Sequence, residues 1–287
     1  MMIGDNKNKV IDNIKEAVAK GKYNTKVEVD DPCLTSKQEK DLIKKYMNSR
    51  EKLSYKLKNK IVRGIISIVT NIQNKETKIV GIENIKDIKS GAVITSNHFN
   101  PLDVTIIQKL IKVLGKKRLY IVSQVSNLAM NGFVGFIMNY ADIIPISKQI
   151  GYMKKDFSKL IKNTLKKKNY ILIYPEEEMW FNYRKPRTLK QGAYYYAAKN
   201  NVPVISCFVE MIDCDKMENS EFHSVKYILH VLPPIYPDIN KTAKENSKEM
   251  MEKDYEQKKY AYECAYKKKL RYIFESDDIA GWVQSDK

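Results

Sequence analysis

The stretch Ser96-Asn97-His98-Phe99-Asn100-Pro101-Leu102-Asp103 decides how this chain is interpreted. It is preceded by a short apolar run, Ala92–Thr95, which is typical of a buried strand. It is followed by residues 104–114, whose apolar positions have helical spacing. The sequence therefore predicts a strand, a tight turn and a helix, the unit from which α/β sheets are built.

The polar side chains of this turn allow two interpretations. Asn100 is placed to cap the helix, Pro101 to be its first residue and Asp103 its third. In one interpretation, Asn100 and Asp103 form a variant capping box and His98 is a polar residue in the turn. In the other, Asp103 accepts the N–H of one ring nitrogen of His98 and leaves the second nitrogen free as a base. The position after a strand, where α/β sheets place their sites, favours the second.

Three further segments combine with this turn into an ordered set. The set consists of Asn97-His98 with Asp103, Asp142-Ile143-Ile144-Pro145-Ile146-Ser147-Lys148, Tyr174-Pro175-Glu176, and Val202-Pro203-Val204-Ile205-Ser206. In type and order these segments resemble the four motifs of the glycerolipid acyltransferases, the superfamily that includes 1-acylglycerol-3-phosphate acyltransferase. The chain departs from that pattern mainly where the family has the arginines of its second and third motifs.

The resemblance implies a role for each matching residue. His98 would be the catalytic base, Asp103 would orient it, and Glu176 would position the acyl acceptor. Lys148 stands where the second motif has an arginine and would bind substrate phosphate.

Arg184 and Arg187 are the candidates for the missing arginine of the third motif. They lie shortly after Glu176 in a chain with only six arginines, and a guanidinium matches phosphate oxygens well. We therefore predict that both bind phosphate. The alternative is that this cluster is a solvated loop.

The predicted function is transfer of a fatty acyl group from acyl-CoA or acyl-carrier protein to a lysophospholipid hydroxyl, giving phosphatidic acid if the acceptor is 1-acylglycerol-3-phosphate. A thioester is activated enough for direct attack, so no bound cofactor and no metal are expected. Glycerol-3-phosphate or an amino-lipid hydroxyl remain alternative acceptors.

The sequence has no Gly-x-Ser-x-Gly elbow, phosphate loop, dinucleotide fingerprint or His-Glu-x-x-His motif. This argues against a serine hydrolase, a P-loop NTPase, a dinucleotide-binding Rossmann enzyme and a zincin.

The formal charge of +17 raises the alternative of a non-catalytic basic protein that binds membranes or nucleic acid. The excess is mostly lysine and resembles a global compositional bias, so no nucleic-acid partner is expected. The start of the chain lacks the apolar core of a secretory signal, and no apolar run reaches the length of a membrane span. We therefore expect a cytoplasmic protein that lies peripherally on the anionic inner face of the cell membrane.

Residues 35–75 are the segment predicted to contact that membrane. A helix that starts after Thr35 continues through Ile61 into an apolar patch with Ile65, Ile66, Ile68 and Val69, and it is strongly basic. The alternative is a helix that packs on the core with its basic side in solvent. Residues 1–34 form an extension to which the sequence assigns no role.

Residues 76–287 are predicted to form a single α/β acyltransferase domain with a largely parallel mixed sheet flanked by helices and a C-terminal helix. Strands alternate with helices along this region. His223 and His230 lie on or beside a predicted strand without a carboxylate at useful spacing, so they are interpreted as structural or surface residues. Four cysteines without Cys-x-x-Cys spacing predict free thiols.

Overall fold

A seven-stranded sheet organises the chain, of which the computed structural model describes residues 7–29, 32–116 and 118–283. The strand order is β1-β7-β6-β2-β5-β3-β4, and only β6 and β7 pair antiparallel. This is the largely parallel α/β sheet that the sequence predicts. The strands are β1 Lys78–Val80, β2 Ala92–Thr95, β3 Leu119–Gln124, β4 Ile143–Ile146, β5 Tyr170–Ile173, β6 Val204–Met217 and β7 His223–Val231.

Helices cover both faces of the sheet. Ile94 and Leu172 face a core shared with α4, whereas their neighbours Val93 and Ile171 face a second core shared with α7 and α8. Central strands buried on both faces must be apolar throughout, which is why they are easily found in the sequence. The helices are α1 Lys7–Ala19, α2 Ser36–Arg50, α3 Leu53–Gln73, α4 Val104–Val113, α5 Gly132–Tyr140, α6 Ile150–Tyr152, α7 Ser158–Lys166, α8 Gly192–Lys199 and α9 Ala243–Tyr266.

The basic segment forms two helices, α2 and α3, and not the one long helix predicted. Thr35 caps α2 with a full capping box. The helical conformation is interrupted at residues 51–52, and α3 begins after them. Both helices pack on the sheet domain through a common apolar cluster that includes Tyr46, Tyr55 and Val62. Among the described residues, no helix combines the length and apolar character needed to cross a bilayer.

Three other boundaries differ from the prediction. The stretch around Gly132 and Gly135, whose glycines are typical of a loop, forms α5. The helix after the His98 turn begins at Val104, because Asn100 to Asp103 form a separate turn in front of it. Strand β6 extends to Met217, well beyond the apolar run that marks its start, because it pairs with β7 along its length.

Residues 7–29 pack against the sheet domain. Helix α1 buries Ile11 and Ile14 in a cluster with Trp180 and Tyr183 from the loop after β5. The indole N–H of Trp180 also donates to the carbonyl of Thr25 at 2.9 Å. The N-terminal segment thus covers a loop that lies immediately behind the candidate site.

Gly91, just before β2, fixes the approach of that strand to the end of α7. A methyl group at this position would lie 2.5 Å from the carbonyl oxygen of Leu165, a contact with backbone that cannot rotate away. We expect Gly91→Ala to lower the free energy of unfolding by about 1–3 kcal/mol, measured by urea denaturation.

The matched control is Gly64→Ala in the middle of α3, where an added methyl group meets nothing within 4 Å. It should raise stability by up to about 1 kcal/mol through helix propensity. Equal effects of the two substitutions would contradict the close-approach argument.

Candidate active site

The candidate site lies where the two central strands end. Thr95 of β2 is in register with Ile173 of β5 in the parallel pair, so the residues that follow them emerge side by side. The turn with His98 and Asp103 therefore adjoins the turn with Tyr174 and Glu176. This is the carboxyl edge of the sheet, where parallel folds place their sites.

His98 and Asp103 form a hydrogen-bonded pair. The Nδ1 atom of His98 lies 2.8 Å from Oδ2 of Asp103, and the imidazole keeps 22% of its surface exposed whereas the carboxylate keeps 3%. In the neutral imidazole this arrangement favours the proton on Nδ1, which leaves Nε2 as the acceptor. Nε2 has no hydrogen-bond partner in the described part of the chain.

The Asp103 carboxylate does not cap the helix. Its Oδ2 also accepts the backbone N–H of Phe99 at 3.0 Å and, at 3.3 Å, that of Asn100. Its Oδ1 accepts the hydroxyl of Tyr174 at 2.5 Å. Asp103 occupies the N-cap position of α4 without a side-chain capping bond of its own. Part of the capping-box pattern is nevertheless present one turn earlier, because Asp103 accepts the backbone N–H of Asn100 and Asn100 Oδ1 accepts that of Leu102 at 3.0 Å. The two interpretations are therefore not exclusive, since the same carboxylate also pairs with His98.

Tyr174 is a site residue that the sequence argument did not single out. Its ring stacks on the imidazole of His98, with centroids 3.9 Å apart and planes 13° apart. Burial, followed by the charge of Asp103 and the hydrogen bond to it, raises the pKa of Tyr174 well above 10. The sequence signal that could have identified Tyr174 is its position directly after β5, the buried strand that pairs with β2.

Glu176 is buried, and its carboxylate accepts hydrogen bonds from His98 and Arg187. Its Oε2 accepts the backbone N–H of His98 at 3.2 Å and the guanidinium of Arg187 at 2.9 Å. Its Oε1 accepts the backbone N–H of Arg187 at 2.9 Å. With 1% of its surface exposed, Glu176 fixes the backbone of His98, and both of its carboxylate oxygens already accept hydrogen bonds from protein groups.

Arg187 is the cation that compensates this buried carboxylate. Its exposed fraction is 1%, and it also donates to the carbonyls of Tyr23, His98 and Glu178. Burial lowers the pKa of Arg187, and the charge and hydrogen bonds of Glu176 oppose that shift. All of its guanidinium nitrogens are engaged by protein groups, so the structure does not support the predicted phosphate-binding role.

Arg184 is likewise held inside the protein. It is 8% exposed, and its guanidinium donates to the Asp213 carboxylate and to the carbonyl of Asp277. Like Arg187, it stabilises the packing of this loop and does not face solvent. The solvated-loop interpretation of the cluster is also incorrect, because the loop is buried by α1 and residues 273–282.

Lys148 follows β4 and is exposed. The strand before it, β4, is separated from β5 by β3. The backbone of β4 therefore lies about 10 Å from that of β5 along the same carboxyl edge. The structure brings together His98, Asp103 and Glu176 and leaves Lys148 apart from them. Its phosphate-binding role stays a prediction.

A cavity of about 360 Å³ adjoins Asp103 on the side of β7. Its wall mixes apolar side chains with amides and hydroxyls and includes one lysine and two carboxylates. The lining residues are Lys7, Gln73, Asn74, Phe99, Asn100, Leu102, Asp103, Thr105, Ile106, Phe181, Asn182, Glu218, Ser224, Val225 and Tyr227.

Titratable groups outside the turn also have partners of their own. Glu275, Asp277 and Asp278 are close enough to share a cation, but Lys185 and Lys268 already pair with them. Another group is a pair, in which Nε2 of His230 lies 2.7 Å from Oε2 of Glu210 across β6 and β7. His230 thus has the carboxylate partner that the sequence argument did not find, because sequence spacing does not reveal cross-strand neighbours.

Comparison with known proteins gives a family match and structural matches. Residues 76–210 match the family model described as Acyltransferase. A crystal structure of the 1-acyl-sn-glycerophosphate (LPA) acyltransferase PlsC from Thermotoga maritima superposes with a TM-score of 0.49 and 16% sequence identity. That superposition covers 76% of this chain and 81% of the other. No curated protein sequence matches the chain.

The Glu176–Arg187 pair yields a prediction that separates a structural role from a phosphate-binding one. Arg187→Met removes the charge and leaves the Glu176 carboxylate buried without its cation. We expect the free energy of unfolding to fall by about 3–5 kcal/mol, measured by denaturant titration.

The control is Lys190→Met, which removes an exposed cation three residues away and should change stability by less than about 0.5 kcal/mol. Unchanged stability in Arg187→Met would contradict the structural role and restore the phosphate-binding interpretation.

Proposed function

Because residues 76–210 match the acyltransferase family model, we propose that the protein transfers a fatty acyl group from an acyl thioester to the hydroxyl of a lysophospholipid. The observation that carries the proposal is the pairing of His98 Nδ1 with Asp103 Oδ2 at the carboxyl edge of the sheet. That pairing leaves the second ring nitrogen available to take a proton.

In the proposed mechanism, Nε2 of His98 accepts the proton of the acceptor hydroxyl as its oxygen attacks the thioester carbonyl carbon. A tetrahedral intermediate forms, and its collapse breaks the carbon–sulfur bond. The departing sulfur takes the proton back from His98, so the imidazole returns to its starting state. No covalent bond to the protein is required, because the thioester is already an activated acyl group.

Asp103 supports this cycle by holding the imidazole in one tautomer and by facing the positive charge that it acquires. The carboxylate accepts from His98, Phe99, Asn100 and Tyr174, so it is well satisfied as a buried anion. Glu176 acts indirectly, because it accepts the backbone N–H of His98 and so fixes the position of that residue. This replaces the direct acceptor-binding role that the family resemblance implies.

We further propose 1-acylglycerol-3-phosphate as the acceptor and acyl-CoA or acyl-carrier protein as the donor. The support for this acceptor is the resemblance of the four ordered segments to the motifs of the glycerolipid acyltransferases; His98 is not among the residues that line the cavity beside Asp103. Lys148 remains the candidate for the phosphate group; it is exposed at the carboxyl edge of the sheet, on the β4 side of His98 and opposite to the cavity. Glycerol-3-phosphate and amino-lipid hydroxyls are the alternative acceptors.

The proposed chemistry predicts unequal losses for the two members of the pair. His98→Ala should lower turnover by about 10²–10⁴-fold, since it removes the base. Asp103→Asn should retain a residual rate, because the base remains while its orientation and charge partner are weakened. The measurement is product mass after incubation with labelled acyl-CoA and a panel of lysophospholipids, with far-UV circular dichroism as the folding control. Wild-type turnover in His98→Ala would exclude this mechanism.

Helix α3 supports a peripheral contact with an anionic membrane. One face packs on the protein through Tyr55 and Val62, and the opposite face exposes a row of large apolar side chains at helical spacing. We call this row the α3 stripe. It consists of Leu53, Leu57, Ile61, Ile68 and Ile72, of which the last four are 63%, 50%, 61% and 67% exposed.

The α3 stripe refines the membrane-contacting patch predicted from the sequence. Ile65, Ile66 and Val69 are partly buried, and Ile66 packs with α5 and its neighbours. Exposed Lys56, Lys58 and Lys60 lie beside the stripe. Basic residues next to inserted apolar side chains suit an interface with anionic headgroups, at roughly 1 kcal/mol for each lysine near the surface.

We therefore expect the protein to sediment with vesicles containing anionic lipid at low salt and to be partly released at high salt. Leu57→Asp with Ile61→Asp should weaken this binding by at least about tenfold, because two charges would enter the apolar boundary. The measurement is the fraction bound in vesicle sedimentation.

The matched control adds the same two charges at the same spacing on α9, as Tyr260→Asp with Cys264→Asp, both exposed. Equal loss of binding in both pairs would indicate a general charge effect. Unchanged binding in the α3 pair would exclude the stripe.

A further inference from the structure

Tyr174 touches both members of the candidate catalytic pair. Its hydroxyl donates to Oδ1 of Asp103 at 2.5 Å, while Oδ2 of the same carboxylate faces Nδ1 of His98 at 2.8 Å. Its ring stacks on the imidazole at a centroid distance of 3.9 Å. We propose that Tyr174 is a positioning residue that sets the proton affinity of the His98–Asp103 pair through its hydrogen bond to Asp103. The kinetic part of this inference rests on the proposed function.

The hydroxyl is a permanent donor in this arrangement. Burial and the neighbouring carboxylate raise the pKa of Tyr174 well above 10, so it keeps its proton throughout the range in which an imidazole titrates. An ionised Asp103 has no proton to give in return. The hydrogen bond therefore has one direction over that whole range.

The hydrogen bond from Tyr174 gives the two oxygens of the Asp103 carboxylate different partners, with Tyr174 at Oδ1 and His98 at Oδ2. A donor at Oδ1 draws negative charge toward that oxygen and weakens the attraction that Oδ2 exerts on an imidazolium. Removing the hydroxyl would leave more charge facing His98 and favour its protonated form. The base would then become active only at higher pH. The stacked ring has no such effect, because a phenylalanine would stack in the same way.

Few other charged or titratable groups act on the pair. Glu176 and Arg187 touch only the backbone of His98 and neutralise each other. Tyr227 on β7 has a pKa raised to about 12, mainly by burial and secondly by Asp103, and it stays neutral. The thiol of Cys207 on β6, next to Tyr174, has a pKa raised to about 12 by burial and is neutral as well.

The test compares wild type with Tyr174→Phe, which removes only the hydroxyl. A phenylalanine keeps the ring that stacks on His98 and adds no atom to the site. We expect the acid limb of kcat/KM against pH to move to higher pH by about 0.5 unit or more. The matched control is Tyr152→Phe, which removes a hydroxyl bonded to the carbonyl of Pro145 at 2.8 Å, away from the pair. Its acid limb should stay in place.

A second measurement does not depend on activity. The chain has three histidines, so the Nδ1–H proton resonance of His98 can be assigned by its loss in His98→Ala. In Tyr174→Phe this resonance should move downfield and persist to higher pH. An unchanged resonance and an unchanged acid limb would overturn the proposal. If no acyl transfer is detected with any acceptor but the resonance moves as expected, the proposed function fails while the role of Tyr174 stands.

Discussion

The buried ion pair between Glu176 and Arg187 is the interaction on which the site depends. Two charges removed from water are tolerated only when each is fully hydrogen-bonded. Here the Glu176 carboxylate accepts the backbone N–H of His98, and the Arg187 guanidinium donates to the carbonyls of Tyr23 and His98. One pair therefore joins the turn after β2, the turn after β5 and the N-terminal segment. The position of His98 is set from its backbone before its side chain meets Asp103.

Much of the fold could be predicted from the sequence because the central strands are buried on both faces. Strands β2 and β4 have the bounds that their apolar runs indicate. Amphipathic and glycine-containing elements were harder to predict. The sequence of α5 resembles a loop because Gly132 and Gly135 disfavour a helix in isolation, whereas packing on the protein stabilises one here. The break between α2 and α3 has no proline or glycine to signal it.

The candidate site could be predicted only as far as local spacing reaches. His98 and Asp103 lie five residues apart in one turn, so their pairing could be inferred from the chain alone. Arg187 reaches Glu176 from eleven residues away, and the hydroxyl of Tyr174 meets Asp103 across a pair of parallel strands. Such contacts depend on sheet order, which the sequence does not state. The two arginines illustrate the resulting error, since the same guanidinium that binds phosphate at a surface neutralises a carboxylate when it is buried.

The packing of residues 7–29 on the loop after β5 has a consequence for how the chain folds. The carbonyls of Thr25 and Tyr23 meet Trp180 and Arg187 across 155 and 164 residues of sequence. During synthesis, the N-terminal segment leaves the ribosome long before either partner exists. Contacts of such separation form late, because the intervening loop must first be closed by the sheet. Residues 7–29 are therefore expected to reach their native place late, after the strands between them and the loop after β5 have paired.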